Sequence, residues 1–455
     1  MQRALAILLM LAIVGATKTH AQNWPGFRGA GNGVAADDPA LPDRWSTTEN
    51  VSWAIDIPGR GWSSPVIWGD HVFVVTAVDV TKPLDTFRPV KEYIAGSLGG
   101  TMTGNDVNRE QSDHRWVVYD ISARTGTIRW ERALRTGPPG QPVHQKNSLA
   151  SETPVTDGER LYVYLSYAGL YALDFDGKAV WSKPMDVQPM RMGWGAAASP
   201  ALHDGRVYIV SDNEAKSFLA AYDARTGNEL WRVPREERSN WSTPFVWQNK
   251  LRTEIVTTSS NKVRSYDTNG NQLWELAGMT SIHAATPVAA DELLYISSGY
   301  PADSVRPVYA VRPGARGDIT LQPGQSRNDF IVWSQPTLAG SYPSGLVTGG
   351  TYYMLLDRGI FTATNALTGQ EVYGRQRIAT DGGTFSASPW TYNGKIFALN
   401  EDGTTYVIQA GAEFKVIGRN ALEEFTLATP AIANGRLFIR TATKLYCIEQ
   451  RRNRN

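Results

Sequence analysis

Cysteine is almost absent: Cys447 is the only one in 455 residues, so no intrachain disulfide can form. It sits in the apolar alternation Leu445-Tyr446-Cys447-Ile448, the setting of a small buried hydrophobe rather than a nucleophile. Net charge is nearly absent as well. Lys+Arg 45 against Asp+Glu 44 leaves a formal +1, which gives no broad field for a polyanion, and no nucleic-acid partner is expected. Histidine is scarce, six in all, and none lies near His283 at metal-ligand spacing. Beyond the N-terminus no apolar run approaches the roughly 20 residues of a membrane-spanning helix. What is present excludes disorder: a hydrophobic share of 42% with 10% aromatics can bury a large core.

The N-terminal run is short. Met1 to Arg3 carry positive charge, Ala4 to Val14 are continuously apolar, and Thr19-His20-Ala21 offers small residues before a cut. Residues 1–21 are expected to be a cleaved signal peptide. No Cys follows the run, so a lipoprotein anchor is not expected, and the mature chain should be soluble in the periplasm or secreted. Residues 22–49 read as an N-terminal extension, 50–449 as one repeat domain and 450–455 as a basic tail.

The repeat begins with Ser or Thr before Pro, at Ser64, Thr153, Ser199, Thr243, Thr286, Ser388 and Thr429, with Ser344-Gly345 in the place left for an eighth unit. Turn pairs such as Asp204-Gly205, Asn393-Gly394 and Asn434-Gly435 follow, suited to the positive φ of tight hairpins. Runs rich in β-branched and aromatic residues come next, such as Val207-Tyr208-Ile209, and read as second strands. The later half of the unit has Asp, a Gly turn and a Trp strand, read at Asp120 to Trp130, Asp174 to Trp181, Asp223 to Trp231 and Asp267 to Trp274, with a weaker copy at Asn365 to Tyr373. Four strands repeated at about 40 to 45 residues predict blades of a β-propeller. The last unit lacks its Trp strand, whereas Asn50 to Pro58 carries Trp53 ahead of the first. The expected fold is therefore all-β, an eight-bladed propeller whose last blade is closed by the N-terminal strand.

The phrase Ala-x-Asp-x-x-Thr-Gly-x-x-x-Trp, intact from Ala221 to Trp231, resembles the tryptophan-docking repeat of pyrroloquinoline-quinone-like (PQQ-like) propellers. That fold is shared by quinoprotein alcohol dehydrogenases and by outer-membrane protein assembly factor B of Gram-negative bacteria. The start Asn23-Trp24-Pro25-Gly26-Phe27-Arg28-Gly29 is similar to that of secreted single-domain bacterial members.

In such a propeller, loops entering the innermost strands and those between second and third strands share the channel mouth. This nominates Trp62, Glu152, Trp194, Trp241, His283, Asp357 and Arg358 as ligand-binding residues, with Ser242, Phe385, Asp212-Asn213-Glu214 and Glu401-Asp402 nearby. Aromatic faces can sandwich a flat ring or sugar while charges orient it. No metal site is expected, because three adjacent residues such as Asp212-Asn213-Glu214 cannot encircle calcium. The stretch from Val78 to Asp113 replaces a short loop on the mouth face and suits a mobile lid. A second insertion, Arg312 to Asn328, reads as a flexible excursion on the opposite face.

Two functions are weighed. The first is a monomeric, non-catalytic scaffold outside the cytoplasm that holds a protein, peptide or glycan at the channel mouth and needs no cofactor. The second is a PQQ-dependent dehydrogenase, which the resemblance implies would hold the quinone and calcium in the funnel and oxidise an alcohol or sugar. The adjacent cysteines that the alcohol dehydrogenases carry over the quinone are impossible here, and no catalytic residue is assigned. The scaffold is the preferred expectation.

Overall fold

The computed structural model describes residues 22–82, 107–108, 112–379 and 383–450. The expected leader, the tail beyond Gln450 and most of the first-unit insertion lie outside the described residues.

Eight antiparallel sheets of four repeat strands surround a central axis. Blades 1 to 8 start at the innermost strands Val66–Trp68, Val155–Thr156, Ala201–His203, Phe245–Gln248, Val288–Ala290, Leu346–Thr348, Trp390–Tyr392 and Ala431–Ala433. The degenerate sixth unit is thus a true blade. Short hairpins fix the first two strands of several blades: both residues of Asp204-Gly205, Asn393-Gly394 and Asn434-Gly435 take positive φ, as type I′ turns require. In blade 8 the outermost strand is Val51–Asp56, paired with Lys444–Glu449 from the opposite end of the chain. The ring is closed as the sequence predicts.

Outer strands are aimed by bulges. In blades 1 to 5 the pairing of third and fourth strands slips next to the Trp, as at Ala221/Tyr222 opposite Trp231. A bulge bends the strand and turns its side chains. The residue skipped at blades 2 and 3, Val180 or Leu230, is left exposed, while Trp130, Trp181 and Trp231 reach the next blade. Their indole N–H groups donate to Phe175, Ala224 and Thr268 carbonyls at 2.8, 3.0 and 3.0 Å. Trp53 bonds the Ala123 carbonyl at 3.0 Å, carrying the pattern across the closure. Each ring lies on the turn glycine of the neighbouring blade, so a Cβ on Gly126, Gly177, Gly227 or Gly270 would come within 2.7–2.9 Å of it. The core lies in these wedges, with clusters of buried side chains spanning blades 1–2, 2–3, 3–4 and onward around the ring.

Blade 4 departs from the pattern, and the second insertion explains why. Gly317–Asp318 pairs in parallel with Trp274 and Glu275 at the blade's outer edge, and Ala315 and Ile319 are buried. The segment expected to be a flexible excursion is an ordered fifth strand. Trp274 accordingly turns into its own blade and donates to Glu254 at 2.7 Å.

The N-terminal extension does more than lead into the ring. Trp24 pairs with Ile67 of blade 1, the Pro25 carbonyl accepts from Thr156 of blade 2 at 2.9 Å, and Gly31 faces Phe245 of blade 4. Arg28, fully buried, donates to the Gly345 carbonyl at the entry to blade 6 at 2.8 Å, and Val34 pairs with Thr391 of blade 7. A segment touching blades 1, 2, 4, 6 and 7 runs across the axis and plugs the channel.

Candidate ligand funnel

The Ser/Thr of each repeat has a specific task. The Ser64 N–H donates to the Thr153 hydroxyl at 2.9 Å, Thr153 N–H to Ser199 at 2.9 Å, and Ser199 N–H to Thr243 at 3.1 Å. The chain continues from Thr243 to Thr286, Ser344, Ser388 and Thr429 at 3.3, 3.0, 3.0 and 3.0 Å. Each hydroxyl accepts the backbone N–H of the blade before it, which satisfies a donor that the following proline's turn leaves without a ladder partner. Ser64 Oγ is buried and has no partner among the described residues, so the collar is open at the seam between blades 8 and 1.

Above the collar is a cavity of about 290 Å³, lined by the accepting hydroxyls, with Phe27 of the plug among its lining residues. Trp62, Trp194 and Trp241 line it together, as the mouth geometry predicts. Trp194 and Trp241 face each other with ring centroids 5.8 Å apart. Their positions are braced: Trp241 Nε1 donates to Gly195 O at 2.6 Å, and Asn147 Nδ2 to Trp194 O at 3.1 Å. Trp62 donates to Lys146 O at 2.8 Å and meets Phe425 edge-on at 5.6 Å.

The other nominated residues do not line the funnel. Glu152 is fully buried; its Oε1 accepts from Ser166 N and Oγ at 3.0 and 2.7 Å, Oε2 has no partner among the described residues, and burial raises its pKa. His283 is buried, with Nδ1 at 3.0 Å from Ser298 Oγ and Nε2 at 2.7 Å from Ala285 O, and burial lowers its pKa to about 4. Asp357 accepts from the N–H and Oγ of Ser341 at 2.6 and 2.7 Å, bracing a mouth loop. Arg358 beside it is exposed outside the lining. Asp212 is held by Arg235 at 2.7 and 3.0 Å, both fully buried. Among the described residues no three His, Cys, Asp or Glu side chains gather as a metal site.

Sequence reasoning missed His144, Lys146, Asn147, Tyr300, Tyr342 and Phe27 in the lining. Lys146 Nζ reaches Glu401 Oε2 at 2.7 Å, and Glu401 Oε1 accepts from Ser386 at 2.6 Å. No Asp, Glu or Arg lines the funnel among the described residues. The insertion expected as a lid returns at Val107–Asn108, whose backbone pairs with Val143–His144 next to these lining residues. The signal that would have found the collar was the repeat itself, a hydroxyl in one fixed position of every unit.

A family model described as outer membrane protein assembly factor BamB matches residues 114–375, more than half of the chain. The chain belongs to this family of PQQ-like propellers. Solved structures share the BamB-like fold at low identity. BamB from Moraxella catarrhalis superposes with a TM-score of 0.57 at 13% identity, over 87% of this chain and 98% of that one. A europium-containing methanol dehydrogenase gives 0.58 at 11%, over 94% and 98% of the two chains. A quinohemoprotein alcohol dehydrogenase from Comamonas testosteroni gives 0.56 at 11%, over 94% and 80%. At such identities the likeness shows fold alone. No curated protein matches the sequence. Among the described residues no helix is long and apolar enough to cross a membrane.

Proposed function

We propose that the protein is an extracytoplasmic scaffold that binds a ligand or protein segment in its funnel and performs no reaction on it. One observation carries this reading: the funnel has aromatic walls, while Glu401, Asp357, Asp212 and His283, which the repeat brings near it, are engaged in holding the blades. Glu401 is bonded to Lys146 and Ser386, Asp357 to Ser341, Asp212 to Arg235, and His283 through both ring nitrogens. Such a wall recognises area and shape. The placement outside the cytoplasm rests on the character of residues 1–21.

A calcium and quinone reading fits the lining poorly. Calcium takes six to eight oxygen ligands, with carboxylates prominent among them, and among the described residues this lining brings hydroxyls, one side-chain amide and no carboxylate. The test is calorimetric titration of the mature protein with short peptides, oligosaccharides and pyrroloquinoline quinone, the last with and without calcium, followed by a dye-linked oxidation assay. Binding abolished in Trp194→Ala/Trp241→Ala, without alcohol or sugar oxidation, supports the scaffold. Turnover with the quinone overturns it, and binding that survives the double substitution moves the site off the funnel.

A further inference from the structure

The collar also bears on what the funnel takes, and this step rests on the funnel being a ligand site. A Ser or Thr hydroxyl has one proton to give and lone pairs to accept with. In the collar from Thr153 to Thr429 each oxygen accepts a backbone N–H, and among the described residues none of these hydroxyls donates to a protein acceptor. All of them line the cavity, and all but Thr243 are buried. Buried donors are almost always satisfied in native proteins, by protein or by water, and a ring of such protons around one axis can be met together by the acceptor oxygens of a ligand that displaces water.

The surroundings narrow the choice. Among the described residues no Asp, Glu or Arg stands in the lining, and the one lysine there is bonded to Glu401. A phosphate, with its higher charge, is usually held by guanidinium or ammonium groups, which this collar does not offer. A carboxylate carries one charge shared by two acceptor oxygens and suits a ring of neutral donors. Above the collar, Trp194, Trp241, Ile282 and Leu427 form an apolar wall. Below it, Phe27 and the plug cross the axis, so a ligand cannot thread through and must enter by an end.

We infer that the funnel receives a carboxylate on an apolar body, carboxylate first, with the acid seated in the hydroxyl collar and the body against the tryptophans. The free carboxy terminus of a peptide and a small aryl-alkyl acid share this chemistry. The end-on capture of a chain terminus is an established mode of peptide recognition.

The test compares each acid with its own amide on the unaltered protein, which requires no substitution to fold. The probes are an acetylated tripeptide of alanine, leucine and phenylalanine, as free acid and as carboxamide, and 3-phenylpropionate with its amide, read by calorimetry and tryptophan fluorescence. The expected result is at least tenfold tighter binding of the acid in one or both pairs. Preference confined to the tripeptide assigns a chain end, and equal preference in both pairs assigns a small acid. In Thr286→Val/Ser388→Ala the acid should fall towards the amide while the amide is little changed. Equal affinity of acid and amide overturns the inference; if that binding is lost in Trp194→Ala/Trp241→Ala, the scaffold reading stands without it. Failure of all four probes overturns the inference for this chemistry and leaves the wider titration to decide the scaffold.

Discussion

The contact between a tryptophan and the turn glycine of the next blade can be isolated by a double-mutant cycle at Trp181 and Gly227. Gly227 has φ +74, and a Cβ there would lie 2.7 Å from the Trp181 ring. Gly205 has φ +67 with nothing within 4 Å of the same Cβ. Both Gly→Ala changes incur the left-handed backbone penalty of about 1–2 kcal/mol. Only Gly227→Ala adds overpacking, about 1–3 kcal/mol. In a Trp181→Ala background the ring is gone and that second term should disappear. The cycle should therefore return a coupling of about 1–3 kcal/mol, in the range seen for contacting residues. Urea unfolding followed by circular dichroism and by fluorescence gives the values where the two probes coincide. Equal losses for Gly205→Ala and Gly227→Ala, or a coupling below about 0.5 kcal/mol, would refute the claim that glycine is required there by the ring.

Burial lowers the His283 pKa from 6.5 to about 4, so between these values the unfolded chain binds a proton that the native state refuses. Stability should fall by about 3 kcal/mol from this residue as pH drops through that window and level off below it; urea midpoints of His283→Gln should fall less over the same range. Ser199→Ala leaves the Thr153 N–H without its acceptor and should cost about 1–3 kcal/mol in chemical unfolding, whereas Ser64→Ala removes a hydroxyl with no partner and should leave the midpoint nearly unchanged. Asp212→Ala leaves the fully buried Arg235 uncompensated and should cost about 3–5 kcal/mol, while millimolar calcium should not shift the wild-type melting temperature. A calcium-dependent rise abolished in Asp212→Ala would show that this carboxylate serves a metal instead.

The blade count and the closure by Val51–Asp56 were legible because each follows from a residue type at a fixed place in a repeat, and the three tryptophans of the mouth because each lies in a loop entering an innermost strand. Trp62, Trp194 and Trp241 come together as the strand order requires. Glu152 and His283 lie outside the lining because chain position fixes the loop but not the side chain's direction, and both are buried. Lys146 and Asn147 lie in a long connection between blades 1 and 2 where no repeat constrains them. The plug was illegible for a related reason: Trp24, Arg28 and Val34 have local sequence unlike any strand of the repeat, and the partners of Arg28 and Val34 lie in blades far along the chain. The insertion at Arg312–Asn328 misled through its Pro and Gly content, since two residues suffice to pair with an open blade edge.

The incomplete collar and the closure of the ring fall at the same seam. The hydroxyl relay stops at Ser64, where blade 1 meets blade 8, the blade assembled from both ends of the chain. At the mouth that seam is held in another way: Trp62, entering blade 1, packs on Phe425, entering blade 8, and Lys146 from beyond blade 1 reaches Glu401 of blade 7. Pairings this distant in sequence carry a large loop-closure cost and tend to form late. The plug enters the channel from the same N-terminal segment that supplies the closing strand. The funnel's floor and the strand that closes its ring thus belong to one stretch of chain, so removal of residues 22–56 is expected to take away both at once.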